Sequence, residues 1–153
     1  MVQIRPARTP DDLVTVANLF REYQRAIGVD LCFQGFEAEL DSLPGRYAEP
    51  AGGVWLASGD TGVVALRPLP DDGCEMKRLY VAPTARGTGL GLRLAELCVE
   101  EARVRGYRTM RLDTLATMAA ANHVYGSLGF AETDAYYDNP LPGVRYYALN
   151  LAR

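Results

Sequence analysis

Residues 82–98 read APTARGTGLGLRLAELC, and they place Gly87, Gly89 and Gly91 directly before a helical pattern of apolar residues. The preceding stretch, CEMKRLYV at 74–81, predicts a strand that stops before Pro83. A glycine-rich turn between a strand and a helix lets backbone N–H groups converge at the positive end of the helix dipole, and such a site holds phosphate. The same glycines are also compatible with a tight turn alone.

Two nucleotide-binding fingerprints can be tested on this stretch. The P-loop pattern is excluded, because no Lys follows any of the three glycines. The dinucleotide pattern GxGxxG begins at Gly87 and Gly89, and Asp113 lies at the end of the next predicted strand. However, Leu92 stands where the third glycine is required. A nicotinamide-dependent oxidoreductase therefore remains the weaker alternative.

The rest of the chain predicts a single domain over residues 1–153. The order of predicted elements is a strand, two helices, three strands, a helix, a strand, a helix and terminal strands, which indicates an α+β sandwich around one sheet. The first helix has the clearest signals. Thr9 is its N-cap, Pro10 lies in its first turn, and Gly28 ends it.

Composition excludes several classes of protein. The formal charge of -3 argues against nucleic acid as a partner. Cys32, Cys74 and Cys98 form no CxxC pair and are interpreted as small buried residues, and His123 is the only histidine, so no metal site is expected. The sequence shows no signal peptide and no apolar run of membrane-spanning length. These features predict a cytoplasmic protein that does not bind a membrane.

Two motifs resemble one known family. The stretch at 74–107 is similar to the coenzyme A binding core of the GNAT-type N-acetyltransferases, whose signature Q/R-x-x-G-x-G/A is complete at residues 86–91. Downstream, AAANHVYGSLGF at 119–130 is similar to the family's helix ending A-x-x-L-Y-x-x-L-G-F. The resemblance implies a GNAT-like fold, with a mixed, mostly antiparallel central sheet flanked by about four helices. It also implies acetyl-CoA as co-substrate.

The resemblance also implies which residues bind that co-substrate. Backbone N–H groups of the glycine loop would receive the pyrophosphate, and the strand before it would pair with the pantetheine arm where the sheet splays. The expected cofactor-binding residues are Leu79, Tyr80, Val81, Arg86, Gly87, Thr88, Gly89, Leu90 and Gly91. Family members commonly carry an Asn where this chain has Met118, so that cofactor contact is either missing or supplied by Asn122.

Two residues are predicted to be catalytic. Tyr125 occupies the family position of the acid that protonates or hydrogen-bonds the departing thiolate, although it also fits a core aromatic. Glu75 lies where the family often places a carboxylate that acts on the amine, but Lys77 and Arg78 beside it also suit an ion pair. Asp113 is compatible with either a bound cationic amine or a turn.

The family resemblance implies acetyl transfer to a primary amine of a small molecule or peptide, by direct attack in a ternary complex. The acceptor is expected to contact residues 28–40 and 133–147, and a homodimer is possible because such pairing is frequent in the family. A non-catalytic domain that binds or senses acyl-CoA is the alternative that shares the same motifs.

Overall fold

A computed structural model describes residues 2–31 and 34–152 of the chain. Its strands are β1 (Ile4–Pro6), β2 (Gly53–Ala57), β3 (Gly62–Pro68), β4 (Gly73–Val81), β5 (Thr109–Leu115), β6 (Ala131–Thr133) and β7 (Val144–Asn150). Its helices are α1 (Pro10–Ile27), α2 (Phe36–Asp41), α3 (Leu90–Val104) and α4 (Ala119–Ser127). The element order predicted from the sequence is confirmed.

The seven strands form one sheet in the order β1-β2-β3-β4-β5-β7-β6. Every neighbouring pair is antiparallel except β4 and β5, which run parallel at the centre. The predicted mixed, mostly antiparallel sheet flanked by helices is therefore confirmed. The connection from β4 to β5 passes through α3, as a parallel pair requires a crossover.

Helix α1 begins and ends where the sequence predicts. The Thr9 hydroxyl accepts the N–H of Asp12 at 3.0 Å, and the Asp12 carboxylate accepts the N–H of Thr9 at 3.1 Å, which together form a capping box. Gly28 ends the helix in the left-handed conformation at φ 70°. The sequence also predicts a second, shorter helix within residues 33–45. Of this stretch α2 covers Phe36–Asp41, and Phe33 lies outside the described residues.

Apolar side chains fill both faces of the sheet. One face packs against α3 and α4, and its core includes Cys74 and Cys98, both fully buried. The other face packs against α1 and α2 around Phe20, Phe36 and Tyr47. The prediction that the cysteines are small buried residues is confirmed for these two, whereas Cys32 lies outside the described residues.

A bulge and a divergence in the middle of the sheet position the site. Opposite β3, Lys77 pairs with Ala65 and Tyr80 with Val63, so two residues of β4, Arg78 and Leu79, oppose one residue of β3. Arg78 itself has a φ of 60°. On its other side, β4 pairs with β5 only from residue 73 to residue 75. Beyond that point the two parallel strands separate and leave a cleft between them.

Candidate active site

The glycine loop joins the end of β4 to the start of α3. Gly87 and Gly89 have φ values of 77° and 81°, a region that other residues rarely adopt, and Gly89 is the N-cap of α3. The first N–H to bind a carbonyl after the loop is that of Arg93, which donates to Gly89 O at 3.1 Å. Within the described part of the chain, the N–H groups of residues 87–92 have no protein acceptor. They form an open donor array at a helix N-terminus, which suits a phosphate group.

A cleft lies between the diverging strands. Its walls are residues 76–79 of β4 and 113–115 of β5, and Met118 and Tyr125 close it on the side of α4. The opposite side is lined by Tyr23, Ile27, Leu31, Gln34, Asn139 and Leu141. The cleft therefore joins an unpaired edge of β4 to the α1–α2 and β6–β7 connections, the two regions expected to contact the acceptor.

Tyr125 lies in this cleft and also packs in the core. The residue is 5% exposed, and its ring meets Phe130 edge to face with the centroids 5.9 Å apart. Its hydroxyl makes no hydrogen bond with any described residue. Burial raises the pKa of the phenol well above its ordinary value of 10.0, so the group stays protonated and can donate to a ligand.

Glu75 is close to the cleft but does not reach it. Its side chain is fully buried, and Arg67 on β3 donates to Glu75 Oε1 at 2.6 Å. The Tyr136 hydroxyl donates to Glu75 Oε2, and Lys77 Nζ lies 3.7 Å from the same oxygen. An ion pair of Glu75 with Lys77 is thus present, while Arg78 pairs elsewhere. A molecule in the cleft meets Lys77 before it meets Glu75.

Lys77 and Asp113 face each other across the gap between the strands. Lys77 Nζ lies 3.8 Å from Asp113 Oδ1. The other carboxylate oxygen of Asp113 accepts the Tyr137 hydroxyl at 2.5 Å and the Asn139 side-chain amide at 2.8 Å. Asp113 lies within β5 and pairs with Tyr146 of β7, so the alternative that it forms a turn is wrong. Gln34 donates to the Tyr137 hydroxyl at 3.0 Å, which ties the α1–α2 connection to this cluster.

Arg78 makes a separate buried ion pair. Its Nε and Nη2 donate to the two carboxylate oxygens of Glu39 at 3.0 and 3.1 Å, and its side chain is 2% exposed. The guanidinium also lies over the rings of Phe36 and Tyr23, at 5.3 and 5.9 Å from their centroids. This arrangement fastens α2 to the bulge of β4 and so fixes one wall of the cleft.

Met118, Asn122 and His123 lie on or beside α4, and of the three only Met118 lines the cleft. Asn122 does not line the cleft, because its amide donates to Leu115 O at 3.0 Å and its oxygen accepts from the Thr114 hydroxyl at 2.9 Å. Met118 occupies the cleft wall instead. His123 is exposed. Within the described ranges no group of three or more potential metal ligands comes together.

The sequence did not identify the buried cluster around Lys77 and Asp113. Its members come from four parts of the chain, and Tyr137, Asn139 and Gln34 lie in connections that carry no periodic pattern. One signal was present in the composition. Lys77 is the only lysine among 16 basic residues, and it stands in the strand that leads to the glycine loop.

An unpaired strand edge that runs into an open array of N–H groups is suited to an extended, amide-containing chain that carries phosphate. Residues 15–130 match the acetyltransferase (GNAT) family, and the chain belongs to that family of acyltransferases. An uncharacterized N-acetyltransferase of Schizosaccharomyces pombe is 38% identical, over 99% of this chain and 96% of that protein.

Two solved structures illustrate the shared fold. A GNAT-family acetyltransferase of Staphylococcus aureus Mu50 superposes with a TM-score of 0.82 and 19% identity, over 99% of this chain and 100% of that one. The yncA protein of Salmonella typhimurium, solved with its cofactor acetyl-CoA, gives a TM-score of 0.72 and 19% identity, over 100% of this chain and 95% of that one.

None of the helices formed by residues 2–31 and 34–152 has the length and apolar character needed to cross a membrane.

Proposed function

We propose that this protein transfers an acetyl group from acetyl-CoA to a primary amine of a small molecule or peptide, by direct attack in a ternary complex. The observation that carries the proposal is the separation of β5 from β4 beyond residue 75, directly before a loop whose N–H groups at residues 87–92 have no acceptor among the described residues. These two features are adjacent and match the pantetheine arm and the pyrophosphate of coenzyme A. The yncA protein, which shares the fold, was solved with acetyl-CoA.

The pyrophosphate binds at the start of α3. In the proposed complex the N–H groups from Gly87 to Gly91 donate to phosphate oxygens, and the helix dipole favours the negative charge. Arg86 and Thr88 stand on the exposed rim of the same loop. At Gly87 and Gly89 the φ is positive and open space surrounds the position of a β-carbon, so a ligand can approach the backbone closely at both residues.

The pantetheine arm binds along β4. Residues Leu79 to Val81 have backbone neighbours in β3 on one side, whereas β5 no longer pairs with them on the other. An arm built of amides can add to such an edge as a strand does. The thioester then lies near Leu79 and Tyr125, which both line the cleft.

Tyr125 stabilises the leaving group. The neutral amine attacks the thioester carbon, the C–S bond breaks, and the sulfur takes up negative charge. Because the buried phenol has a pKa well above the roughly 8.5 of an ordinary thiol, a hydrogen bond to the sulfur is favoured over complete proton transfer from Tyr125. The amine nitrogen supplies the proton that completes the free thiol.

Glu75 and Asn122 take indirect roles in this proposal. Glu75 does not contact the acceptor directly, because Arg67, Tyr136 and Lys77 surround its carboxylate. Asn122 joins α4 to the end of β5 and so positions Tyr125 against the cleft. Assembly of two copies and a cytoplasmic location stay predictions from the sequence.

The proposal is tested by measuring free thiol released from acetyl-CoA in the presence of aliphatic amines, amino acids and short peptides. Release above the rate without amine, in equal amount to an acetylated amine identified by mass, is the expected result. Tight binding of acetyl-CoA without turnover of any amine would instead indicate a domain that only binds or senses acyl-CoA. Absence of acetyl-CoA binding would overturn the placement of the co-substrate.

A further inference from the structure

The side chain of Lys77 is buried, and its ammonium group makes no hydrogen bond to any described residue. The side chain is 5% exposed and lines the cleft, and the nearest carboxylate oxygens, Glu75 Oε2 and Asp113 Oδ1, lie 3.7 and 3.8 Å from Nζ. Both distances exceed hydrogen-bond length. Among the described residues, no other carboxylate makes an ion pair with the group. A lysine side chain this buried without a hydrogen bond to a described residue is unusual, because such groups are normally paired closely.

The two neighbouring carboxylates are held by other donors. Glu75 is bound by Arg67 from β3 and by Tyr136 from the β6–β7 connection. Asp113 of β5 is bound by Tyr137 and by Asn139, as described above. Both carboxylates therefore keep hydrogen-bond donors of their own when Lys77 loses its proton.

The remaining groups around Lys77 include two cations and an aromatic ring. Arg67 and Arg78 lie on β3 and β4, and the ring of Tyr137 is centred 5.9 Å from Nζ. Burial lowers the pKa of Lys77. The negative charges of Glu75 and Asp113 raise it, and the positive charges of the two arginines lower it further. The net direction is downward, so the neutral amine of Lys77 is reached at a lower pH than in a free lysine.

Arg78 provides a contrast on the same strand. It is equally buried, but its guanidinium is fully engaged with Glu39 and makes a fixed structural pair. The chain uses arginine at 15 of its 16 basic positions and lysine only at position 77. Of the two side chains, only lysine can release and accept a proton in a protein. The single lysine therefore stands where the cleft borders the carboxylates of Glu75 and Asp113.

We propose that Lys77 is the general base that removes a proton from the acceptor amine. This inference rests on the proposed acetyl transfer. The acceptor arrives as R–NH₃⁺, and the lone pair of neutral Lys77 takes one proton to give R–NH₂ and the lysine ammonium beside Glu75 and Asp113. R–NH₂ then attacks the thioester, giving the amide and the free thiol. Lys77 returns its proton to water before the next turnover.

The decisive variant is Lys77→Arg, which keeps the charge and both ion pairs but cannot accept a proton. A general base contributes about 10²- to 10⁴-fold, so we expect kcat/KM at pH 7 to fall by about 100-fold or more. The Kd for acetyl-CoA stays unchanged. Raising the pH restores the rate about tenfold per unit, because the acceptor then loses its proton to solvent, up to its own pKa of about 10. Lys77→Met is the uncharged companion and shows the same loss at pH 7.

The single lysine permits a direct second measurement. Labelling the chain with ¹³C-lysine gives one side-chain Cε signal, and its titration is compared with the acid limb of the wild-type kcat/KM profile for the best amine of the panel. The two midpoints coincide if Lys77 is the base. A wild-type rate and profile in Lys77→Arg, or a Lys77 signal that stays protonated above the acid limb, overturns the inference alone. A wild type that turns over no amine overturns the proposed function as well, and this is seen before any variant is made.

Discussion

Gly89 and Gly106 offer a matched test of the phosphate site, because they lie at opposite ends of α3. Their φ values are 81° and 86°, and an added β-carbon would meet no atom within 4 Å at either position. Glutamate at either site therefore brings the same charge and a similar backbone strain, about 1–2 kcal/mol for an L-residue in the left-handed region. We expect both variants to lose thermal stability, and Gly89→Glu to lose less, because its carboxylate lies at the positive end of the helix dipole whereas that of Gly106→Glu lies at the negative end.

Acetyl-CoA binding separates the two variants. In Gly89→Glu a carboxylate stands about 5 Å from the doubly charged pyrophosphate, which costs about 1.7 kcal/mol even at the dielectric constant of water. That energy corresponds to roughly a 15-fold weaker Kd at low salt, before any loss of N–H donors to the new carboxylate is counted. In Gly106→Glu the charge lies at the far end of a 15-residue helix, so the Kd should match that of the wild type.

The assay is a calorimetric titration of each variant with acetyl-CoA at low ionic strength, accompanied by thermal unfolding. The salt dependence provides a further check, because added salt should narrow the difference between Gly89→Glu and the wild type. Equal affinities of the two folded variants for acetyl-CoA would refute the reasoning that the start of α3 holds the pyrophosphate.

Two further predictions concern a hydroxyl and a helix cap. Tyr125→Phe should slow turnover about 10- to 1,000-fold without loss of stability, because the hydroxyl has no hydrogen bond to any described residue. The control Tyr107→Phe should lower the free energy of unfolding by about 1 kcal/mol, because it loses the hydrogen bond to Ala51 O, and should leave turnover unchanged. Unchanged turnover in Tyr125→Phe together with a loss of stability in urea unfolding would show that Tyr125 has a purely structural role. Hydrogen bonds from the Arg5 guanidinium, and from the N–H groups of Arg8 and Thr9, hold the pKa of Asp12 well below its usual range. Asp12→Asn should therefore melt below the wild type at pH 7, and the difference should shrink as the pH falls below about 4, where the wild-type carboxylate begins to lose its advantage. A difference that is the same at pH 3 and pH 7 would contradict this cause.

Features with local causes were predictable from the sequence. Thr9, Pro10 and Gly28 define α1 because caps and the fixed φ of proline act within one turn. The glycine loop was found for the same reason, since a tight turn between a strand and a helix demands residues without a β-carbon. The boundaries were less well determined. Of the stretch at 119–130 that resembles the family's helix, only Ala119–Ser127 is helical, and Leu128 is the C-cap.

Features that depend on pairing between distant strands were not predictable. The partner of Glu75 was expected among its own neighbours, but Arg67 on β3 makes the shorter contact because the two residues pair directly across the sheet. The bulge at Arg78 places both Lys77 and Arg78 on the wall of the cleft, although alternation along a regular strand would turn them to opposite faces. Asn122 makes hydrogen bonds with Thr114 and Leu115, which no spacing rule reveals, and its contact with the cofactor stays a prediction.

The placement of acetyl-CoA between β4 and the glycine loop is tested most directly by titrating ¹⁵N-labelled protein with acetyl-CoA and following each backbone N–H. The account predicts saturable shifts for residues 79–81 and 87–91, with little change at Gly106. Absence of shifts up to millimolar acetyl-CoA, or shifts confined to other parts of the chain, would contradict it.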